Sequence, residues 1–261
     1  MNDEITISSV YNSLKFDENN VPYLSRQKIE LIAELFLSKY YPSSLEKPTF
    51  VTINAIIKRL IELDKAKFIF DTYLGWIGDE KILGKTTLKD KIIYIDKDII
   101  DKDNRFSFVV AHELGHLFLH TIKPIKDDNK ERIVDVIDDK EKFFLQKRAI
   151  RSVRGWIEWQ ANTFAAAVLM PKKTFKNALV SIQQSLDINR NLGTVFIDKQ
   201  DTNRKAFDSI ANRLGIIYRT STTASKYRLN NLDLVDDNLK KELDGLHISN
   251  LLSEFIKKSE R

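Results

Sequence analysis

Cysteine is absent from the 261 residues of this chain. Disulfides are therefore excluded, and a metal, if one is held, must take nitrogen and oxygen donors rather than thiolates. No apolar run approaches the roughly 20 residues that a membrane-spanning helix needs. The first ten residues, Met1 to Val10, lack both the basic start and the apolar stretch of a secretion signal. These absences lead to the expectation of a cytoplasmic protein with no membrane partner. The net charge of +5 is mild for this length. It permits an acidic or nucleic-acid partner without arguing for one. The length allows a full core, and one principal domain with terminal additions fits it better than two equal domains.

Histidine is scarce as well, with four in the chain, and three of them fall between His112 and His120. His112, Glu113 and His116 spell H-E-x-x-H within a helix made apolar almost all round by Phe106, Phe108, Val109, Val110, Leu114, Leu117, Phe118 and Leu119. Residues i and i+4 share a helix face, so both imidazoles can reach one Zn²⁺. Glu113, rotated beside them, can reach a water at that ion. Burying two imidazoles and a carboxylate is costly unless something satisfies them, so a metal explains the trio better than core packing does. Asp103 or Asn104 can cap the helix, and Pro124 can stop it.

Two imidazoles do not complete a zinc site. His120 lies one turn past His116, about 6 Å along the axis from it and about 12 Å from His112, too far to share the ion easily. It reads as a supporting or helix-end residue. The metzincin pattern fails because Leu119 and Ile122 occupy the positions of its Gly and third His. The better third ligand is Glu158, in a second apolar helix running from Ser152 or Gly155 to a stop at Pro171. Its small residues, Ala161, Ala165, Ala166 and Ala167, allow close approach to the first helix. Asn162 shares a face with Glu158 and can fix the orientation of a ligand imidazole. An ordinary acid near a helix start would look the same at Glu158, since the helix N-terminus stabilises it too.

The run Ala111-His112-Glu113-Leu114-Gly115-His116-Leu117-Phe118-Leu119-His120, with Glu158-x-x-Ala161-Asn162-x-Phe164-Ala165-Ala166 and Leu169-Met170-Pro171, resembles the ImmA/IrrE family of bacterial and phage metallopeptidases. The resemblance is tight over residues 105–171 and looser upstream, where Val21-Pro22-Tyr23 opens a helical region. It implies zinc on His112, His116 and Glu158, with Glu113 as catalytic base. It further implies cleavage of a repressor or other regulatory protein. The competing function is a DNA-binding or sensor regulator that retains a zinc-holding peptidase fold; a defence-associated partner that assembles through its helical tail is a third. Two departures stand out: an unusually long stretch between His116 and Glu158, and Gln160 where an acid is frequent.

The rest of the chain predicts an α+β fold. Helices are expected from Ser25 to Tyr41 and from Ile53 to Leu63, on the spacing of their aliphatic residues. Strands are expected at 68–74, around 82–88 and at 91–96, forming a small antiparallel sheet before the metal-bearing helix. Lys91–Asp96 is the candidate edge for pairing with an extended substrate. Residues 1–21 are expected to be flexible, 22–175 to form the peptidase core with a charged surface insertion at 125–154, and 176–261 to be helical. Within that last region Phe207–Ile217 resembles the first half of a helix-turn-helix, with Thr220–Leu229 next and Arg219, Lys226 and Arg228 as its basic residues. A helical hairpin packed on the core is the plainer alternative. An extra oxyanion donor is expected, and His247, in a polar tail, reads as incidental.

Overall fold

Apolar side chains recurring at three- and four-residue intervals generate the helical half of the molecule. The computed structural model describes residues 6–121, 132–134 and 153–238, with backbone alone for 132–134 and for Glu80. A short helix, α1 (Ile7–Asn12), opens the described chain, closed at its start by a reciprocal Thr6–Ser9 capping box. Its Val10 is buried and its Tyr11 hydroxyl donates to the Phe118 carbonyl at 2.5 Å. This helix lies within the 1–21 segment expected to be flexible. In α2 (Arg26–Tyr40) Ile29, Ile32, Ala33, Phe36, Leu37 and Tyr40 are buried, and Ser25 accepts from the Lys28 N–H as N-cap. In α3 (Ile53–Glu62) the inward set is Ile53, Ile56, Ile57 and Leu60.

Strands follow where the period changes. β1 (Lys67–Thr72), the hairpin β2 (Trp76–Ile77) and β3 (Glu80–Lys81), β4 (Gly84–Thr87) and β5 (Ile92–Asp96) lead into α4 (Asp103–His120). Beyond it come β6 (Arg132–Val134), α5 (Val153–Leu169), α6 (Lys172–Ser185), β7 (Val195–Ile197), α7 (Asp201–Tyr218), α8 (Thr222–Asn231) and β8 (Val235–Asp237). The architecture is α+β, with helical regions at both ends and a small central sheet. The main sheet runs β1-β5-β4-β6 and is mixed rather than wholly antiparallel, since β1 and β5 pair in parallel. The β4–β5 and β4–β6 pairs are antiparallel. The Lys91–Asp96 segment is therefore not the edge: β5 lies inside, bonded on both sides. Its alternation buries Ile93 and Ile95 against the helices, which favours an interior strand.

α4 is capped by neither Asp103 nor Asn104. Lys102 is its N-cap residue without a side-chain bond, and Asp103 sits in the first turn, where the helix dipole favours an acid. Pro124, most of the charged insertion and His247 lie outside the described residues. α4 and α5 pack closely because Gly115 has no side chain: a Cβ there would come within 2.9 Å of the Ala161 Cα. Phe36 ties α2 to both, its ring 4.9 Å from Phe118 and 5.5 Å from Phe164.

A second core gathers Ala166 and Met170 at the end of α5 with Phe175, Leu179, Ile210, Leu214, Tyr218 and Leu229 from α6, α7 and α8. Of the basic residues suited to a DNA-reading helix, one is withdrawn from the surface and two make contacts that leave them accessible. Arg228 is fully buried; its guanidinium forks onto the Glu30 carboxylate of α2, and its Nε donates to the Met170 carbonyl at 2.9 Å. Lys226 pairs with Asp208 at 2.6 Å, and Arg219 lies over the Phe50 ring at 3.7 Å. Residues 207–229 thus form a helical hairpin seated on the core. Arg228→Met is expected to lower stability by about 3–5 kcal/mol, because Glu30 would keep a buried charge without its partner. Urea unfolding followed by circular dichroism measures it.

Candidate metal centre

His112, Glu113 and His116 are each fully buried on the face of α4 that meets α5 and the sheet. The α4–α5 contact brings Glu158 over the two imidazoles. His112 Nε2 lies 3.2 Å from Glu158 Oε2, His116 Nε2 lies 3.6 Å from Glu158 Oε1, and the two Nε2 atoms are 2.8 Å apart. One donor atom from each of the three residues falls within 4.8 Å of the others. Among the described residues no other group of His, Asp and Glu converges this way.

The chemistry of this donor set calls for a cation. Asn162 Oδ1, which can only accept, lies 2.6 Å from His112 Nδ1, so that nitrogen carries the proton and Nε2 presents a lone pair. Two nitrogen lone pairs and a carboxylate converging in a buried site repel one another unless positive charge lies among them. A single Zn²⁺ satisfies all three, with the nitrogen and oxygen ligands it commonly takes. The Glu158 carboxyl shows the same tension. Burial pushes its pKa up, yet in the metal-free site His116 and His112, when protonated, supply the positive charge that outweighs burial and holds it well below the usual carboxylate range.

Glu113 is placed differently. Its carboxylate turns from the ligand cluster toward the sheet, where the Thr86 hydroxyl donates to Oε2 at 2.5 Å. Oε1 is buried without a hydrogen-bond partner among the described residues. Burial raises this carboxyl to about 7, against the opposing pull of His112 and the Thr86 hydroxyl. Space for it comes from Gly84, where a Cβ would approach Oε1 to 2.5 Å and Val109 Cγ1 to 2.8 Å. Those contacts leave no room for any side chain at position 84 unless the carboxylate moves. The burial alternation of β4 turns Gly84 and Thr86 to the same inner face.

His120 is also buried, but its Nδ1 faces His116 Nδ1 at 3.2 Å and its Nε2 faces Gln160 Oε1 at 3.0 Å. It supports a ligand rather than joining the cluster. The fold therefore brings together all six residues singled out in the sequence: His112, Glu113, His116, His120, Glu158 and Asn162. Sequence reasoning missed Gly84, Thr86 and the part taken by Gln160. A glycine or threonine in a short strand carries no distinguishing signal. A glutamine within an apolar helix, two positions past a metal ligand, does carry one.

Residues 76–218, more than half of the chain, match the family described as the IrrE N-terminal-like domain, a peptidase family. Searches of curated proteins and of solved structures return no match. The matched stretch contains the H-E-x-x-H helix, the helix of the distal glutamate and the strands that position Glu113. With a motif, a converged His-His-Glu cluster and a family match in agreement, the chain belongs to the IrrE N-terminal-like domain family, carrying a gluzincin-like zinc site.

Proposed function

We propose that the protein is a zinc-dependent endopeptidase that cleaves a repressor or other regulatory protein, with Glu113 as general base. The observation that carries the reading is the arrangement of Glu113: buried, held by Thr86 through one oxygen, and without a hydrogen-bond partner among the described residues at the other. A sensor that merely holds zinc needs the three ligands but has no use for a carboxylate kept beside them at such a desolvation cost. Burial of Arg228 against Glu30 withdraws one of the basic residues that a DNA-reading helix would use and so favours the peptidase over a DNA-binding regulator.

Zinc on His112, His116 and Glu158 would supply Lewis acidity, lowering the pKa of a water to about 7 and polarising the scissile carbonyl. The remaining work falls to the chain. Asn162 orients His112, and Thr86 steadies Glu113 Oε2 so that Oε1 can take the proton of the attacking water. Glu113 then delivers that proton to the departing amine. Burial favours the protonated intermediate state of this carboxyl, which suits a group that must take up a proton and release it within one turnover.

The direct test pairs the zinc-loaded protein with any small repressor-type protein that the neighbouring reading frame encodes. A discrete cut in that partner, abolished by a chelator and restored by zinc, is the expected result on gels and by mass spectrometry. Intact partner alongside tight duplex binding by the zinc-loaded protein would instead establish the regulator reading. No helix among the described residues is long and apolar enough to cross a membrane.

A further inference from the structure

His116 presents Nε2 to the cluster, and the state of its other nitrogen is decided far away in the sequence. The Pro22 carbonyl can only accept a hydrogen bond. Gln160 Nε2 donates to it at 2.8 Å, which settles which end of that amide is oxygen. Gln160 Oε1 then faces His120 Nε2 at 3.0 Å, and an amide oxygen cannot donate, so His120 Nε2 carries the proton. A neutral imidazole protonated there has its lone pair on Nδ1. That lone pair faces His116 Nδ1 at 3.2 Å, so the His116 nitrogen must donate. His116 is thereby held as the tautomer whose Nε2 lone pair points at His112 and Glu158.

Pro22, Gln160, His120 and His116 are all buried, so bulk water cannot substitute for a lost member of the series. The Pro22 end is itself anchored. Phe16 and Pro22 form a β-bridge, Asp17 Oδ1 accepts from the Val21 N–H at 2.8 Å, and Val21 and Leu24 are buried. We propose that Gln160 and His120 are positioning residues of the metal centre, through which the Pro22 carbonyl sets the tautomer in which His116 binds zinc. This rests on the reading of His112, His116 and Glu158 as the ligands. It links affinity for the metal to the N-terminal segment, which lies outside the family-matched stretch.

The four histidines of the full-length chain make long-range ¹H–¹⁵N imidazole spectra tractable. His120 is expected as the Nε2–H tautomer with and without added zinc; the Nδ1–H tautomer would overturn the proposal. Chelator competition then measures zinc affinity. Gln160→Leu, shown to be folded by circular dichroism, is expected to weaken it about 10- to 100-fold, the usual cost of losing a partner that orients a ligand. His120→Asn, which can place an oxygen acceptor near the Nδ1 position, is expected to retain most of the affinity that His120→Leu loses. Unchanged affinity in both leucine variants would refute the relay. If the unaltered protein takes up no zinc, the ligand reading fails, whereas the His120 tautomer still decides the hydrogen-bond relay.

Discussion

Glu113→Gln is expected to retain one zinc per chain while lowering peptide cleavage by about 10²- to 10⁴-fold, the range general acid–base catalysis contributes. The substitution preserves shape, and the amide can still meet the Thr86 hydroxyl beneath it. What it removes is the capacity to take a proton. Elemental analysis of the purified variant checks the first half, and cleavage of a protein substrate that the unaltered protein cuts checks the second. Loss of zinc along with activity would show that this carboxylate serves as a ligand.

The same side chain makes opposite demands on stability and on activity. Its folded pKa of about 7 stands above its ordinary 4.5, so the folded state prefers the protonated form. That contribution to stability is full below the unfolded value and is lost as pH rises through about 7. The glutamine variant should therefore be the more stable of the two metal-free proteins at neutral and alkaline pH. Activity runs the other way, because the base works as a carboxylate. A bound cation beside it favours ionisation, so the acid limb of the rate profile should lie at or below about 7, and thermal melts across pH should separate the two effects.

Glu158→Ala is expected to lose zinc and activity together. Deleting a group that only orients a ligand costs about 10- to 100-fold in metal affinity, and deleting a direct ligand should exceed that. The two Nε2 atoms, 2.8 Å apart, would then face each other with no carboxylate to complete the site. Chelator competition would read the affinity, and added zinc should not restore cleavage at concentrations that saturate the unaltered protein. A variant that keeps stoichiometric tight zinc and full cleavage would remove Glu158 from the ligand set and with it the gluzincin-like arrangement.

The parts of this molecule legible in the sequence were those with a strict repeat or a strict chemistry. The inward faces of α2 and α3 follow aliphatic spacing, and the metal helix announces itself by placing charged and polar groups where apolar ones surround them. Glu158 became legible through the Ala-rich face and the Asn162 that follow it. Sheet order was not legible. The expectation of an antiparallel sheet with Lys91–Asp96 at its edge failed because strand direction is settled by long-range packing, and β5 returns beside β1 only after an excursion through the β2–β3 hairpin and β4. Caps were also hard to read, since Lys102 precedes α4 where an Asp or Asn was expected. The half helix-turn-helix pattern of 207–229 was legible as two helices joined by a turn, but not as a surface. Whether Arg228 faces solvent or Glu30 depends on a residue 198 positions away.

That distant pairing bears on how the molecule can be divided. The family-matched stretch runs from Trp76 to Tyr218, yet Glu30 and Phe36 precede it and Arg228 follows it. A gene fragment limited to the matched stretch would strip α2 from the aromatic trio and leave the Met170 carbonyl without its guanidinium. Such a fragment should aggregate or remain molten. Both flanks have to accompany the matched stretch if it is to keep this packing, and a variant that exchanges one end of the chain would have to supply a new counterpart for the other.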